Sequence, residues 1–375
     1  TQSRSSAASD VYKRQAQNNL LIPWGDPHRA DTMSATIFYD PQAEDAGRRY
    51  TMIYFCSGMY PLGLGIAYSP DGLHWQPHPD NPVDAGGPEP VGDVVYALAD
   101  PRSRRALIYY RVRLRVRPTR TLARAESADL LHWSGHTVIL EADAEDPPGA
   151  ELYGLTPFRY GDMFLGFLWV STKNSERIEV QLVSSRDGMT WQRAGGRQAF
   201  LAPGPAGAFD AAVVGRLSAP IVVGNELWFY YMGAPSYPPA PNSNAQGGIG
   251  LALTTMDRFV SLEAGEQEGV VVTRPITLSD QCRLLINAVV NPGGYVLVEI
   301  LDEAGLPLPG FRREDALPFG DTAVFHPVGW AGQPDLAALN GQTVQLRFFL
   351  RRAHLFAFRL CRPDAGAADL VAGLC

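Results

Sequence analysis

The strongest constraint on this chain is a seven-residue phrase that returns. Ser69-Pro-Asp-Gly-Leu-His-Trp75 comes back as Ser127-Ala-Asp-Leu-Leu-His-Trp133 and as Ser185-Arg-Asp-Gly-Met-Thr-Trp191. A degraded copy reads Thr255-Met-Asp-Arg-Phe-Val-Ser261. Asp71, Asp129 and Asp187 stand 58 residues apart at each step, and Asp257 follows 70 residues later. A period of this length means one supersecondary unit repeated. Each copy lies between apolar strand-like runs, so a tight turn is predicted. Asp accepts hydrogen bonds from backbone N–H groups two residues on, and Gly supplies positive φ where the turn needs it. The closing Trp returns to the core as a large anchor over the turn. These Asp and Trp residues are therefore expected to be scaffold rather than site.

Four units align around the phrase. Their first strands are Thr36–Tyr39, Val94–Ala97, Leu155–Phe158 and Val213–Arg216, and their aromatic second strands are Tyr50–Phe55, Ala106–Tyr110, Met163–Trp169 and Leu227–Tyr231. The third strands run into the Asp turn: Gly65–Tyr68, Leu122–Ala125, Glu179–Val183 and Ile249–Leu253. A weaker fourth strand follows the Trp, as at Thr137–Leu140. Four antiparallel strands per unit, repeated radially, describe a β-propeller blade. The many short β-branched and aromatic runs, broken by 37 Gly and 30 Pro, agree with an all-β chain. Beyond Gly265 the pattern changes to Cys282–Asn287, Gly294–Leu301, Thr322–Phe325, Thr343–Leu350 and His354–Leu360, which together read as a β-sandwich.

The expected organisation is a leader at 1–17, a propeller at 18–273, a β-sandwich at 274–362 and a flexible tail at 363–375. Thr1 to Gln15 has no apolar period and no signal-peptide core. It resembles the translated adapter sequence found at the ends of environmental-DNA gene models. About four blades are accounted for, and a fifth is expected to have been lost on the N-terminal side.

Net charge is −7 with no basic block, so nucleic acid is not an expected partner. No apolar run has the length of a transmembrane helix. The four cysteines lie far apart without C-x-x-C spacing, which argues against structural zinc. No phosphate loop, dinucleotide fingerprint or Ser/His/Asp signature occurs, so neither cofactor nor metal is expected. Compartment and oligomeric state stay open.

In a propeller the innermost strands line a channel, so acids at the start of each first strand are the candidates. Asp31, Asp93, Glu151 and Asp210 fall there, with Asp93 and Glu151 each 40 residues before their turn Trp. A carboxylate ring at one mouth is what sugar hydrolysis needs: a protonated acid for the leaving oxygen and an ionised partner. Crowded carboxylates have their pKa values pushed apart, which creates the two roles. Glu151, Asp93 and Asp31 are the predicted catalytic residues. Asp210, His28, Arg29, Tyr153 and Arg111 are the predicted substrate-binding residues. Arg111, Arg113, Arg115 and Arg117 alternate, so they share one strand face, suited to an anionic sugar or to exposed ion pairs.

The phrase Ser69–Trp75, together with Glu151-Leu-Tyr153, Leu227-Trp-Phe-Tyr-Tyr-Met-Gly233, Phe259-Val-Ser-Leu-Glu-Ala-Gly265 and Gly310-Phe311, resembles a bacterial family labelled glycoside hydrolase family 32-like. The resemblance covers roughly residues 18–360. It implies the five-bladed propeller and C-terminal β-sandwich of the invertase, levansucrase and arabinanase superfamily, and an oligo- or polysaccharide substrate. The invertase Asn-Asp-Pro-Asn, Arg-Asp-Pro and Glu-Cys motifs are absent, and Asp100-Pro101 reads as a hairpin turn. The alternatives are a non-catalytic carbohydrate-binding propeller and, ranked last, a sialidase-like enzyme, which needs several arginines converging on a carboxylate.

Overall fold

The computed structural model describes residues 32–56, 62–112, 119–172, 177–237, 247–279 and 283–362. Asp31, His28, Arg29, the leader, the tail and Arg113, Arg115 and Arg117 lie outside the described residues. The described chain is β-structure with three short 3-10 turns. None of its helices is long and apolar enough to cross a membrane. It forms two compact units, one of residues 1–193, 199–217 and 231–249, the other of 194–198, 218–230 and 250–375.

The first unit opens with two four-stranded antiparallel meanders. One is β1 (Thr32–Tyr39), β2 (Tyr50–Cys56), β3 (Gly63–Ser69) and β4 (Gln76–Pro77). The next is β5 (Val91–Asp100), β6 (Arg105–Val112), β7 (Leu122–Ser127) and β8 (Ser134–Leu140). A third meander follows in β9 (Ala150–Tyr160), β10 (Met163–Thr172), β11 (Ile178–Ser185) and β12 (Gln192–Arg193), with β13 (Ala199–Leu201) also on β11.

Strand periodicity explains how these sheets stack. Successive side chains point to opposite faces, and β2 and β6 bury both faces. Ile53 and Phe55 of β2 pack with Ile108, Tyr110 and Val112 of β6, while Met52, Tyr54 and Cys56 pack with Trp75. Leu107 and Tyr109, on the other face of β6, pack with Leu155, Phe164 and Trp191 of the third sheet. Consecutive sheets therefore meet face to face in chain order, which is how propeller blades pack.

Each copy of the phrase makes the same turn. Oδ1 of Asp71 accepts from the N–H groups of Leu73 and His74 at 2.8 Å, Ser69 Oγ accepts from Gly72, and the Trp75 indole donates to the Gly72 carbonyl at 2.9 Å. Asp129 and Asp187 repeat the set. The fourth residue of the phrase is left-handed in all three copies, with φ of 76° at Gly72, 69° at Leu130 and 70° at Gly188. The degraded copy differs: Asp257 is ion-paired with Arg359 at 2.7 Å.

The expected fourth unit departs from the pattern. Its first strand, β14 (Val213–Gly215), is three residues long and joins the third sheet, pairing in parallel with β11 at Ile178 and antiparallel with the end of a later strand at Ala234. Pro220 follows closely, and proline cannot donate to a ladder.

The second unit contains β15 (Ile221–Val223), paired with the start of β16 (Glu226–Ala234). Then come β17 (Gly248–Thr255), β18 (Leu262–Ala264), β19 (Gly269–Val272), β20 (Ile276–Thr277), β21 (Arg283–Leu301), β22 (Thr322–Pro327) and β23 (Thr343–Cys361). β21 and β23 are each 19 residues long and pair antiparallel, over a core that includes Ile286, Val298, Leu346, Phe348 and Trp330. Each had been expected as two strands. The Asn291-Pro-Gly-Gly294 stretch is absorbed as a bulge between Val290 and Tyr295, opposite Arg352 at φ 46°, instead of forming a turn.

Candidate functional site

Three first strands of the first unit break register near their beginnings. β1 slips against β2 between Met33 and Thr36, and β5 slips against β6 between Val91 and Val95. On β9 the slip leaves Tyr153 unpaired between Leu152 and Gly154. An extra residue in a strand re-aims side chains, and such bulges concentrate beside functional sites. Here the re-aimed stretches carry Ser34, Asp93 and Tyr153.

These residues meet. Ser34, left-handed at φ 51°, donates its hydroxyl to the Asp93 carbonyl at 2.6 Å. The Asp93 carboxylate is ion-paired with Arg111, whose guanidinium lies 4.2 Å from the Tyr153 ring centroid. Arg120 lies over the same ring at 4.9 Å and is ion-paired with Glu151. Two Arg–carboxylate pairs thus meet at the Tyr153 ring. Trp169 stacks near Tyr153 at 6.5 Å, and Arg216 lies 5.9 Å from the Trp169 ring. Arg216 is also left-handed, at φ 48°, and donates to Ser34 Oγ at 3.3 Å.

The two carboxylates differ in access. The Glu151 side chain is 5% exposed and that of Asp93 39%. Burial pushes the Tyr153 phenol up, but the hydroxyl of Tyr237, bonded at 2.9 Å, and the guanidinium groups of Arg111 and Arg120 outweigh burial and leave it below the ordinary tyrosine value. Tyr237 is pushed up to about 12, by burial first and then by its bond to Tyr153.

Asp93, Glu151, Tyr153 and Arg111, all expected from the sequence, therefore belong to one cluster. Asp210 is bonded to a different partner: it accepts from Tyr231 Oη at 2.8 Å, beside the stacked Phe209 ring. Burial and then Asp210 push Tyr231 up to about 12. Asp31, His28 and Arg29 fall outside the described residues. Arg120, Arg216, Tyr237 and Ser34 were not anticipated; Trp169, on the aromatic second strand, is buried in the core beside them. Arg216 closes the fourth unit's predicted first strand, the one positional signal that pointed to it.

A concavity of about 720 Å³ lies elsewhere, lined by Tyr39, Asp40, Arg48, Asp100 and Arg104 at the hairpin ends of β1–β2 and β5–β6. Asp100 and Asp93 are near opposite ends of β5, so about 23 Å of strand separates it from the cluster. The register shifts of β1 and β5 lie toward the other ends of those strands, away from this concavity. Among the described residues no group of three or more His, Cys, Asp or Glu is placed to hold a metal ion.

No family model matches the chain, and no curated protein does. Among solved structures it is similar to a thermostable family-43 glycoside hydrolase, at 14% identity over 61% of this chain and 73% of that one, with a TM-score of 0.48. It is also similar to a glycosyl hydrolase from Bacteroides ovatus (16% identity, 62% and 68% covered, TM-score 0.43). A third is an N-acetylgalactosamine deacetylase from F. plautii (13% identity, 64% and 94% covered, TM-score 0.38). Likenesses this distant do not define an activity, and the site is interpreted from its own residues.

Proposed function

We propose that the chain is a glycoside hydrolase-like protein of the family 32-like type. A five-bladed-type propeller over residues 18–273 carries the site, and a β-sandwich over 274–362 follows it. The carrying observation is that Asp93 and Glu151 are each ion-paired with an arginine, Arg111 and Arg120, and that both arginines lie against one tyrosine ring. Sugar hydrolysis needs two carboxylates flanking the scissile bond, one passing a proton to the leaving oxygen while the other supports attack at the anomeric carbon. Asp93 is the exposed member and serves as base or stabiliser. Glu151 serves as the acid once Arg120 turns from it toward a sugar oxygen. Tyr153, half-buried, supplies a ring face on which a pyranose packs, and Asp31 and Asp210 add acid or hydroxyl contacts.

A second reading is a carbohydrate-binding propeller without turnover. Both carboxylates are already ion-paired with arginines, an arrangement that fixes hydrogen-bonding groups for a ligand without requiring turnover. Hydrolysis of an oligosaccharide panel, measured beside calorimetric binding, separates the two. Catalysis predicts turnover by the parent chain and a loss of about 100-fold or more in Glu151→Gln and Asp93→Asn with binding retained. Binding without turnover supports the second reading. Undiminished turnover in both variants removes these residues from the chemistry.

A further inference from the structure

The cluster around Tyr153 holds more donors than the described residues satisfy. Nη1 of Arg111, Nε of Arg120 and the indole Nε1 of Trp169 are all buried without an acceptor among the described residues. Arg111 is 6% exposed and Trp169 3%. Buried polar groups are nearly always bonded, so each exception calls for a missing partner. All three of these groups are donors, and their missing partner is therefore rich in acceptors.

The charges point the same way. Asp93 and Glu151 balance Arg111 and Arg120. Arg216 faces a hydroxyl and an indole ring instead of a carboxylate among the described residues. Among the described residues, that leaves one positive charge without a carboxylate partner. A neutral sugar hydroxyl would accept a bond but leave the charge unbalanced. A carboxylate supplies two acceptor oxygens in the plane that a guanidinium fork matches. Against the upward push of burial, the Tyr153 phenol is held below its ordinary value by Tyr237 first and then by Arg111 and Arg120, which accords with these surroundings.

We propose that Arg111, Arg120 and Arg216 form the recognition site for the carboxylate of an acidic sugar residue, a uronate or a sialate. The inference rests on the site taking carbohydrate, and it adds the charge of the sugar. Arg111 and Arg120 are pre-aligned by the Tyr153 face, so little side-chain freedom is lost on binding.

Calorimetric titration of the full chain with glucuronate, galacturonate and N-acetylneuraminate, against glucose and galactose, tests it. The acids are expected to bind in preference to the neutral sugars, and the stronger of the uronate and sialate arms identifies the source. Arg216→Gln keeps a long polar side chain at a half-buried position. It is expected to weaken binding of the preferred acid roughly 10- to 100-fold, with an unchanged unfolding midpoint. Arg216→Lys, which keeps the charge but not the fork, is expected to fall between. Equal affinity for acid and neutral sugars overturns the inference and leaves the proposed function standing, as does undiminished acid binding by Arg216→Gln. Failure of every sugar to bind overturns both.

Discussion

At the scale of single residues, the repeated aspartates are turn-builders. Asp71 is held well below the ordinary carboxylate value by the His74 and Leu73 N–H groups and the His74 ring, and Asp129 by the His132 ring and the equivalent N–H groups. For Asp187 burial acts upward, but the Thr190 and Met189 N–H groups prevail and bring it to about 2. A carboxylate depressed in the folded state stabilises fully above its unfolded value, and that contribution is lost as pH falls toward the folded one. The first unit should therefore lose stability on acidification from about pH 4, with Asp187 contributing down to about pH 2. Asn at 187 still accepts with Oδ1 but carries no charge to lose. Thermal midpoints across this range should fall less steeply in Asp187→Asn than in the parent; matching slopes would contradict the assignment. This role was legible in the sequence, because a turn that bonds its own backbone needs no distant partner. Leu130 was less so: it holds the left-handed position that Gly72 and Gly188 hold without steric cost.

At the scale of elements, the strands of the first three units follow the hydrophobic pattern, since alternate burial on two faces leaves its period in the sequence. The second unit was harder to read, because Asn291-Pro-Gly-Gly294 looks like a turn but is a bulge within one long strand. The bulge brings the backbones close enough to require glycine at 294. A Cβ on Gly294 would meet the Arg351 carbonyl oxygen at 2.4 Å, a backbone atom that cannot swing aside. At Gly305, φ is 80° and no atom lies within 4 Å of the added carbon. Gly305→Ala should cost about 1–2 kcal/mol of left-handed strain. Gly294→Ala should cost more, about 3 kcal/mol or above, through clash and lost pairing. Urea midpoints of the two variants check the order, and a smaller loss at Gly294 would count against a single bulged strand.

At the scale of the whole molecule, the candidate site depends on contacts that local pattern cannot reveal. Ser34 and Arg216 are bonded across 182 positions. Asp93 and Glu151 were visible because each keeps the same distance from its turn tryptophan. Arg120 was hidden because it precedes a strand without belonging to it, and Trp169 because an aromatic residue in a buried strand looks like any other core residue. The bulges that re-aim Asp93 and Tyr153 leave no mark in composition.

The central claim is that the Asp93–Arg111–Tyr153–Arg120–Glu151 cluster is where carbohydrate binds, and the buried indole of Trp169 reports on it directly. The chain has seven tryptophans, so the Trp169 Nε1–H resonance can be assigned in a nitrogen-15 spectrum by loss of one peak in Trp169→Phe. Titration with a bound oligosaccharide or sugar acid should move that resonance first, as its unpartnered donor gains an acceptor. Saturation that shifts other indoles and leaves Trp169 in place would contradict the account.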